Sequence, residues 1–158
     1  MRAGDLDGVL ALADRVHPGL PESRAVFAER LALFPAGCIV LARAGGVAGY
    51  AVSHPIRPAE PPRLDALLGR IPTGATQYYI HDLALAPEAR GTGAAAAAVS
   101  RLLLAAPPYP TTALVSVYGT AGFWERFGFR KSGEDMAAKL APYGAGAVFM
   151  VRANRPGD

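Results

Sequence analysis

The spacing of hydrophobic residues predicts two helices at the start of the chain. Between residues 5 and 16 the apolar side chains fall three and four positions apart, and Asp5 stands where a helix N-cap is expected. The same spacing recurs over residues 21–34, with Pro21 close to the first turn. Each helix is therefore expected to bury one face against the rest of the protein.

Later segments have the residue types of β-strands. Residues 36–55 contain two apolar runs around a glycine turn, which predicts a hairpin. Residues 77–87, 112–118 and 143–152 are rich in β-branched and aromatic side chains and predict three further strands. The polar residues 153–158 are expected to fray.

Helical segments separate the strands in the second half of the chain. Residues 91–106 and 120–129 predict one helix each, and Gly128 stands at a natural C-terminal position of the second. Residues 55–76 form a proline-rich insertion with one short helical segment at 63–70.

The order of elements, α-α-β-β-β-α-β-α-(β)-β, predicts a single α/β domain over residues 1–158 with a parallel β-α-β crossover. A hydrophobic content of 51% is enough for a core, and 18 glycines and 14 prolines indicate many loops. The net charge of +3 comes from scattered Lys and Arg residues without a run, so nucleic acid is a weakly supported partner. An anionic small ligand suits this charge equally well.

Cysteine usage and hydropathy indicate the compartment. Cys38 has no partner for an internal disulfide, and no Cys/His cluster has zinc spacing, so no metal site is expected. Asp5 and Asp7 stand where a signal peptide needs apolar residues, and no apolar run is long enough to span a membrane. We therefore expect a cytoplasmic protein.

The junction between the third strand and the following helix has an unusual composition. Residues 88–93, Glu-Ala-Arg-Gly-Thr-Gly, precede five alanines. The first N–H groups of a helix lack partners within it, and glycines let a ligand approach them. With the charge of Arg90, this turn predicts a phosphate or pyrophosphate site, although it lacks the residues of a Walker loop or dinucleotide fingerprint. The alternative is a plain tight turn before an alanine-rich helix that packs close to the sheet.

Two motifs here resemble those of the GNAT superfamily of acyl-CoA-dependent N-acyltransferases. The segment LALAPEARGTGAA is similar to the signature (Arg/Gln)-x-x-Gly-x-(Gly/Ala), with Arg90, Gly93 and Ala95 in the fixed positions. The segment VSVYGTAGFWERFGF, residues 115–129, is similar to the strand and helix that end in FY-x-x-x-GF. The resemblance extends over nearly the whole chain. It implies a mixed, mostly antiparallel central sheet flanked by helices, with a β-α-β core that binds CoA.

The resemblance also implies acetyl-CoA as cosubstrate and a position for it. The turn would hold the CoA pyrophosphate, the end of the third strand would pair with the pantetheine arm, and an N–H near Leu83 would stabilise the oxyanion. The strands at 77–85 and 112–118 would splay apart around the thioester. The implied cofactor-binding residues are Leu83, Ala84, Leu85, Arg90, Gly91, Thr92, Gly93, Ala94, Ala95, Phe123 and Trp124.

Acyl transfer to an amine needs a base for the amine proton, and His81 with Asp82 is the candidate. Some relatives carry histidine at the position of His81, and others, including polyamine acetyltransferases, have an acidic pair at these two positions. Strict alternation along the strand predicts that Asp82 lies on the opposite face from His81 and Leu83. The alternative is that His81 packs beside the neighbouring tyrosines and Asp82 caps a loop.

A general acid for the departing thiolate is harder to assign. Many relatives have a tyrosine where this chain has Trp124, and an indole N–H cannot act as a general acid. Either the thiolate leaves without help, or Tyr118 or Tyr143 supplies the proton. Trp124 and Phe123 are expected to line the CoA cleft or the core.

The acceptor pocket is expected between the first two helices and the 55–76 insertion. Four polar residues of these segments are predicted to lie on the solvated surface: His17, Glu22, His54 and Glu60. Cys38 is expected in the core, because direct transfer does not need a covalent nucleophile.

These features predict an acyltransferase that moves an acetyl group from acetyl-CoA to a primary amine of a small molecule or peptide. The alternative is a non-catalytic acyl-CoA-binding sensor or partner module of the same fold, which Trp124 favours. A third hypothesis, transfer to an aminoacyl-tRNA, agrees with the positive charge but lacks a clustered basic patch. Relatives often form dimers, so a homodimer is one expected assembly.

Overall fold

The computed structural model describes residues 1–106 and 108–154 and contains a six-stranded mixed sheet. The strands are β1 (Cys38–Arg43), β2 (Gly46–Ile56), β3 (Gln77–Leu85), β4 (Thr111–Ser116), β5 (Arg130–Lys131) and β6 (Val148–Ala153). They lie in the order β1-β2-β3-β4-β6-β5. Only β3 and β4 run parallel among the described strands, which confirms the predicted mostly antiparallel sheet with one β-α-β crossover.

Helices cover both faces of this sheet. They are α1 (Leu6–Val16), α2 (Arg24–Leu33), α3 (Ala94–Leu103), α4 (Ala121–Glu125) and α5 (Ala137–Leu140). The apolar stripe of α1 and Phe27 of α2 pack on Tyr50 and Val52 of β2, whereas α3 and α4 pack on Tyr78 and Ile80 of β3. No helix among the described residues is long and apolar enough to cross a membrane.

Two glycines decide where α3 begins. Gly91 and Gly93 have φ angles of 73° and 81°, in the left-handed region that is incompatible with a right-handed helix. The helix therefore starts at Ala94, three residues after the predicted start, and Gly93 is its N-cap. The two glycines leave the first N–H groups of α3 facing an open turn.

Two other local predictions were wrong. Residues 63–70 contain turns and no helix. Ala153 pairs with Thr111 within the sheet, so fraying does not begin at residue 153. Residues 155–158, where fraying was also predicted, lie outside the described residues.

The proline-rich insertion leaves the sheet and returns to it at one position. Ile56 at the end of β2 pairs with Gln77 at the start of β3, so residues 57–76 form a closed excursion. The side chain of Gln77 accepts a hydrogen bond from Ala59 N–H and donates one to Thr111, which fixes the base of the excursion.

A buried arginine attaches this insertion to α2. The side chain of Arg30 is fully buried, donates to the carbonyl of Ala66 at 2.8 Å and pairs with Glu29. Glu29 accepts hydrogen bonds from the N–H groups of Leu68 and Gly69 at 2.7 and 2.8 Å. These hydrogen bonds to α2 replace the helical ones that the segment 63–70 was predicted to form.

β3 contains a bulge at His81. Val52 of β2 lies opposite Asp82 and Ser53 lies opposite Ile80, so His81 is the extra residue. A bulge shifts the alternation of side chains by one position. Asp82 therefore lies toward α1 and α2 together with His81, and the prediction that the two occupy opposite faces was wrong.

β3 and β4 separate after a short parallel ladder. Their pairs run from Gln77 with Thr111 to Ile80 with Leu114, while β3 continues to Leu85. This separation confirms the predicted splay of the two strands.

Candidate functional site

A cavity of about 150 Å³ lies where β3 and β4 separate. All three residues predicted to be catalytic line it: His81 and Asp82 from β3, and Tyr118 from the loop after β4. Its other walls come from the loop after α1, the insertion, α4 and the segment before β6. The fold thus joins segments that are distant in the sequence around one small space.

His81 forms a buried pair with a carboxylate that the sequence did not reveal. Its Nε2 lies 2.8 Å from Oε2 of Glu22, and the two side chains are only 4% and 7% exposed. The Glu22 carboxylate can only accept here, so Nε2 carries the proton and Nδ1 keeps its lone pair. Nδ1 of His81 is buried and has no hydrogen-bond partner among the described residues.

The second oxygen of Glu22 links this pair to the insertion. Oε1 accepts a hydrogen bond from the N–H of Asp65 at 3.3 Å, and the carboxylate of Asp65 accepts one from the N–H of Ser23 at 2.7 Å. Glu22 is therefore held from two sides, which fixes its orientation toward His81.

A second histidine–carboxylate pair lies in the same cavity. Nε2 of His17 lies 3.2 Å from Oδ1 of Asp82, and the hydroxyl of Tyr50 donates to the other oxygen of that carboxylate. Burial disfavours the charged form of each group, but the contact between the two outweighs it. The pKa of His17 is raised, and the pKa of Asp82 is lowered. The contact therefore favours the charged form of both groups.

Two buried aromatic residues lie behind His81. The ring centroid of His54 is 5.5 Å from that of His81, and Tyr79 is 6.0 Å from it. Burial lowers the pKa of His54 well below its ordinary value, and the proximity of His81 and Arg30 lowers it further. His54 therefore stays neutral and forms a rigid wall behind His81.

The prediction of solvated polar residues was wrong for three of four positions. Glu22 and His54 are buried, and His17 is half-buried. Only Glu60 is exposed, where it pairs with Arg57 at 3.9 Å. The partner of Glu22 is 59 positions away in the chain, so no local sequence pattern could have indicated the contact.

Two tyrosines reach the cavity from opposite sides. Tyr118 stacks on His17 with ring centroids 5.7 Å apart and is 61% exposed, and partial burial and Asp82 raise its pKa. Tyr143 donates its hydroxyl proton to the carbonyl of Pro62 at 3.1 Å. The pKa of Tyr143 is raised to about 12, mainly because the side chain is buried. Both were candidates for the general acid.

The two aromatic residues of α4 have different positions. Trp124 is buried in the core and also lines the cavity, and the sequence predicts one or the other of these positions. Phe123 is half-buried and contacts the rings of Trp124 and Phe127, with the guanidinium of Arg126 5.1 Å from its ring centroid. Phe123 does not line the cavity.

The turn before α3 is open and ready for an anion. Built on the backbone, a Cβ at Gly91 or Gly93 would meet no atom within 4 Å, so a ligand has room beside the turn. The hydroxyl of Thr92 donates to the carbonyl of Ala89 at 2.8 Å, and Arg90 is exposed with its Nε 3.4 Å from the carbonyl of Leu85. Free helix N–H groups and a nearby guanidinium fit a pyrophosphate.

The alanines of α3 leave a second cavity instead of closing the gap to the sheet. A space of about 240 Å³ lies between Ala94, Ala97 and Ala98 of α3 and residues of β1, β2 and β3. The expectation of close packing was therefore wrong along this part of the helix. Leu85 lines this second cavity, whereas Leu83 lines the first.

Cys38 lies in the core, as predicted. It is buried against the helices α1 and α2, and burial raises its pKa to about 11, so it remains a thiol at neutral pH. No group of three or more His, Cys, Asp or Glu residues in the described part of the chain could hold a metal ion.

A comparison with models of known protein families identifies the family of this chain. The model of the acetyltransferase (GNAT) family matches residues 9–129. The chain belongs to the GNAT family. Membership confirms the superfamily predicted from the sequence and the acyl-CoA cosubstrate that it implies, and it makes the chain a member of an acyltransferase family. A comparison with curated proteins gave no match.

Solved structures show the same GNAT fold over nearly the full chain. A GNAT-like decarboxylase, GphF, in complex with isobutyryl-CoA has a TM-score of 0.82 and 22% identity, covering 98% of this chain and 97% of that one. Ard1 from Thermoplasma volcanium has a TM-score of 0.74 and 16% identity, with 99% and 95% covered. The ribosomal-protein-S18-alanine N-acetyltransferase from Escherichia coli has a TM-score of 0.65 and 16% identity, with 100% and 93% covered.

Proposed function

We propose that this chain is a single-domain N-acetyltransferase that moves the acetyl group of acetyl-CoA directly to a primary amine. The observation that carries the proposal is the buried pair of His81 and Glu22 in the cavity between β3 and β4. Such a pair supplies the base that amine acetylation requires.

His81 acts as the general base. An amine is protonated in solution and must lose a proton before its nitrogen can attack the thioester carbonyl. Nδ1 of His81 accepts that proton, while Nε2–H stays bonded to Glu22, whose negative charge stabilises the imidazolium that forms. The neutral ring of His54 behind His81 keeps the imidazole in place.

Tyr118 is the better candidate for the general acid. No hydrogen bond involves its hydroxyl among the described residues, whereas the hydroxyl of Tyr143 already donates to Pro62. The raised pKa of Tyr118 keeps its proton available for the departing thiolate. Asp82 acts indirectly: it orients His17 and Tyr50 rather than accepting the substrate proton.

The cosubstrate is held mainly by backbone groups. The N–H groups of the turn from Gly91 to Ala95, with Arg90 beside them, would hold the pyrophosphate. The unpaired edge of β3 near Leu83 and Leu85 would bind the pantetheine arm and place a backbone N–H near the thioester oxygen. Trp124 would close one wall of the gap, and Phe123 would support it from behind.

A carboxylate-bearing acyl group fits this cavity poorly. The decarboxylase GphF shares the fold, but Glu22 and Asp82 would repel an acyl group that carries its own carboxylate. The same two carboxylates favour the approach of an ammonium group, which supports amine acetylation. A non-catalytic module would have no use for a buried base beside the gap.

Thiol release from acetyl-CoA with a panel of primary amines tests this proposal. The unmodified chain should release CoA with at least one class of amine, and His81→Gln should lower kcat/KM by about 100-fold or more while leaving CoA affinity unchanged. The pH profile of kcat/KM should differ between that variant and the unmodified chain. Glu60→Gln, at an exposed position outside the cavity, is the matched control.

CoA binding without turnover across polyamines, aryl amines, amino acids and peptides would identify a binding module instead. An unchanged pH profile in His81→Gln would exclude His81 as the base.

A further inference from the structure

The side chains that line the cavity include two carboxylates. Glu22 and Asp82 line it, and no Lys or Arg does so among the described residues. Asp82 pairs with His17, and Glu22 pairs with His81. A ligand carboxylate placed here would meet two carboxylates, and the imidazoles beside them are already engaged with those carboxylates.

The acceptor side of the cavity is apolar. Leu20 from the loop after α1, Leu64 from the insertion and Tyr143 form its wall opposite β3 and β4. Leu20 and Leu64 are half-buried, and both line the same cavity. This surface suits the hydrocarbon part of a small molecule.

Three polar backbone groups next to this wall are already bonded to side chains. The N–H of Asp65 donates to Glu22, the N–H of Ser23 donates to Asp65, and the carbonyl of Pro62 accepts from Tyr143. A peptide needs free donors and acceptors along its path, because its own amide groups otherwise lose their hydrogen bonds to water. These three groups are not available to a peptide.

We propose that the acceptor is a primary amine with an apolar body and no carboxylate on the carbon that bears the nitrogen. This inference rests on the proposed N-acetyltransferase function. In the reaction the nitrogen of the neutral amine forms a bond to the acetyl carbon and the carbon–sulfur bond breaks. The proton that the nitrogen loses passes to Nδ1 of His81, the thiolate takes a proton from the hydroxyl of Tyr118, and proton exchange with solvent restores both groups. Glu22 and Asp82 attract the ammonium group, and Leu20 and Leu64 contact the body of the molecule.

Matched pairs of amines test this substrate class. Phenethylamine and phenylalanine differ only by the carboxylate, and 3-methylbutylamine and leucine form the same pair with an aliphatic body. With acetyl-CoA at saturation, we expect each amine to exceed its amino acid by about 100-fold in kcat/KM, because the carboxylate must be desolvated beside Glu22 and Asp82. The dipeptide Phe-Gly should also be a poor acceptor.

A charge introduced in the apolar wall should change the preference. Leu64→Arg places a cation beside the predicted body of the acceptor and should reduce the ratio of phenethylamine to phenylalanine by about tenfold. Leu67→Arg is the control, because Leu67 belongs to the same insertion but is 60% exposed and outside the cavity wall. The control should keep the ratio of the unmodified chain.

The outcomes separate this inference from the function on which it rests. Failure to acetylate any amine would overturn the proposed function itself. Acetylation with phenylalanine, leucine or Phe-Gly at least as good as the matched amine would overturn the substrate class alone. An unchanged ratio in Leu64→Arg, in a variant that still folds and turns over, would show that this wall does not contact the acceptor.

Discussion

The two ends of the gap between β3 and β4 are built in opposite ways. At the α3 turn, two left-handed glycines and a helix N-terminus present backbone groups to solvent, and side chains contribute little. At the proposed acceptor end, side chains from four distant segments line the cavity around His81, and three backbone groups beside them are bonded to side chains. The first end suits a ligand that is common to a family, and the second suits a ligand that differs between its members.

This difference has a physical basis. A backbone anion site depends on local geometry and tolerates changes in side chains elsewhere in the chain. A buried polar network depends on each partner, because an unpaired buried charge is costly. The acceptor end should therefore respond more strongly to single substitutions than the cofactor end does.

The largest effect on stability is expected at Arg30, which attaches the insertion to α2. Arg30→Ala leaves Glu29 without its cation and the carbonyl of Ala66 without its donor, and it should lower the free energy of unfolding by about 3 kcal/mol. Urea denaturation monitored by circular dichroism measures this loss. Arg24→Ala, on the same helix but exposed, should change the stability little. Equal losses in both variants would contradict the proposed role of Arg30.

The next largest effect is expected at the cofactor end, from a substitution within the turn. Gly93→Val forces a branched side chain into the left-handed region, which costs about 1–2 kcal/mol of stability, and it places methyl groups where the pyrophosphate is proposed. CoA affinity measured by calorimetry should fall about 30-fold or more.

Gly74→Val is the control for that substitution. Gly74 also has a positive φ, of 78°, and open space around it, but it belongs to the insertion and lies outside the turn. The control should lose stability and keep its affinity for CoA. Unchanged CoA affinity in Gly93→Val would show that the pyrophosphate does not bind at this turn.

A smaller effect is expected from the second histidine–carboxylate pair, and it should depend on pH. The folded pKa of His17 is raised, so the pair stabilises the fold fully at pH values below the ordinary histidine pKa of 6.5 and loses this contribution as pH rises through the raised value. His17→Asn should therefore be less stable than the unmodified chain near pH 6, and this difference should shrink toward pH 9. Thermal denaturation across that range measures it.

Asp82→Asn and the double variant complete a double-mutant cycle with His17→Asn. If the pair is responsible, the variant Asp82→Asn should lack the same pH-dependent contribution, and the double variant should lose no more of it than either single variant. Additive pH-dependent losses would show that His17 and Asp82 act independently.

The smallest effect is expected at Arg90. Its guanidinium is exposed and, within the described part of the chain, hydrogen-bonds only to the carbonyl of Leu85 at 3.4 Å, so it contributes charge more than structure. Arg90→Ala should weaken CoA binding about threefold at low ionic strength, and the difference should largely disappear near 1 M salt. A salt-independent loss of 100-fold would show that Arg90 makes a direct, desolvated contact instead.

Sequence reasoning succeeded where the relevant information is local. The glycines of the turn, the strand before it and the helix after it are contiguous, and each has a conformational preference that can be read from one segment. The splay of β3 and β4 and the antiparallel sheet followed from the family resemblance. The start of α3 was misplaced because the two glycines belong to the turn rather than to the helix.

The acceptor end could not be predicted for the opposite reason. Glu22 was assigned to the surface because carboxylates usually are solvated, and only the folded chain brings it to His81. The bulge at His81 also has no local signal, yet it reverses the face on which Asp82 lies. Burial and register are long-range properties, so the polar residues of the cavity were the ones assigned wrongly.

The insertion leaves the sheet and returns to it at one residue pair, so it could be replaced as a unit. Because Ile56 and Gln77 face each other across one rung, a different segment could span them without altering the pairing of β2 with β3. Grafting a loop from another member of the GNAT family at this junction would exchange Leu64 and its neighbours as one unit and leave the turn before α3 intact. The graft would have to bring its own acceptor for the guanidinium of Arg30, or that arginine would have to be replaced with it.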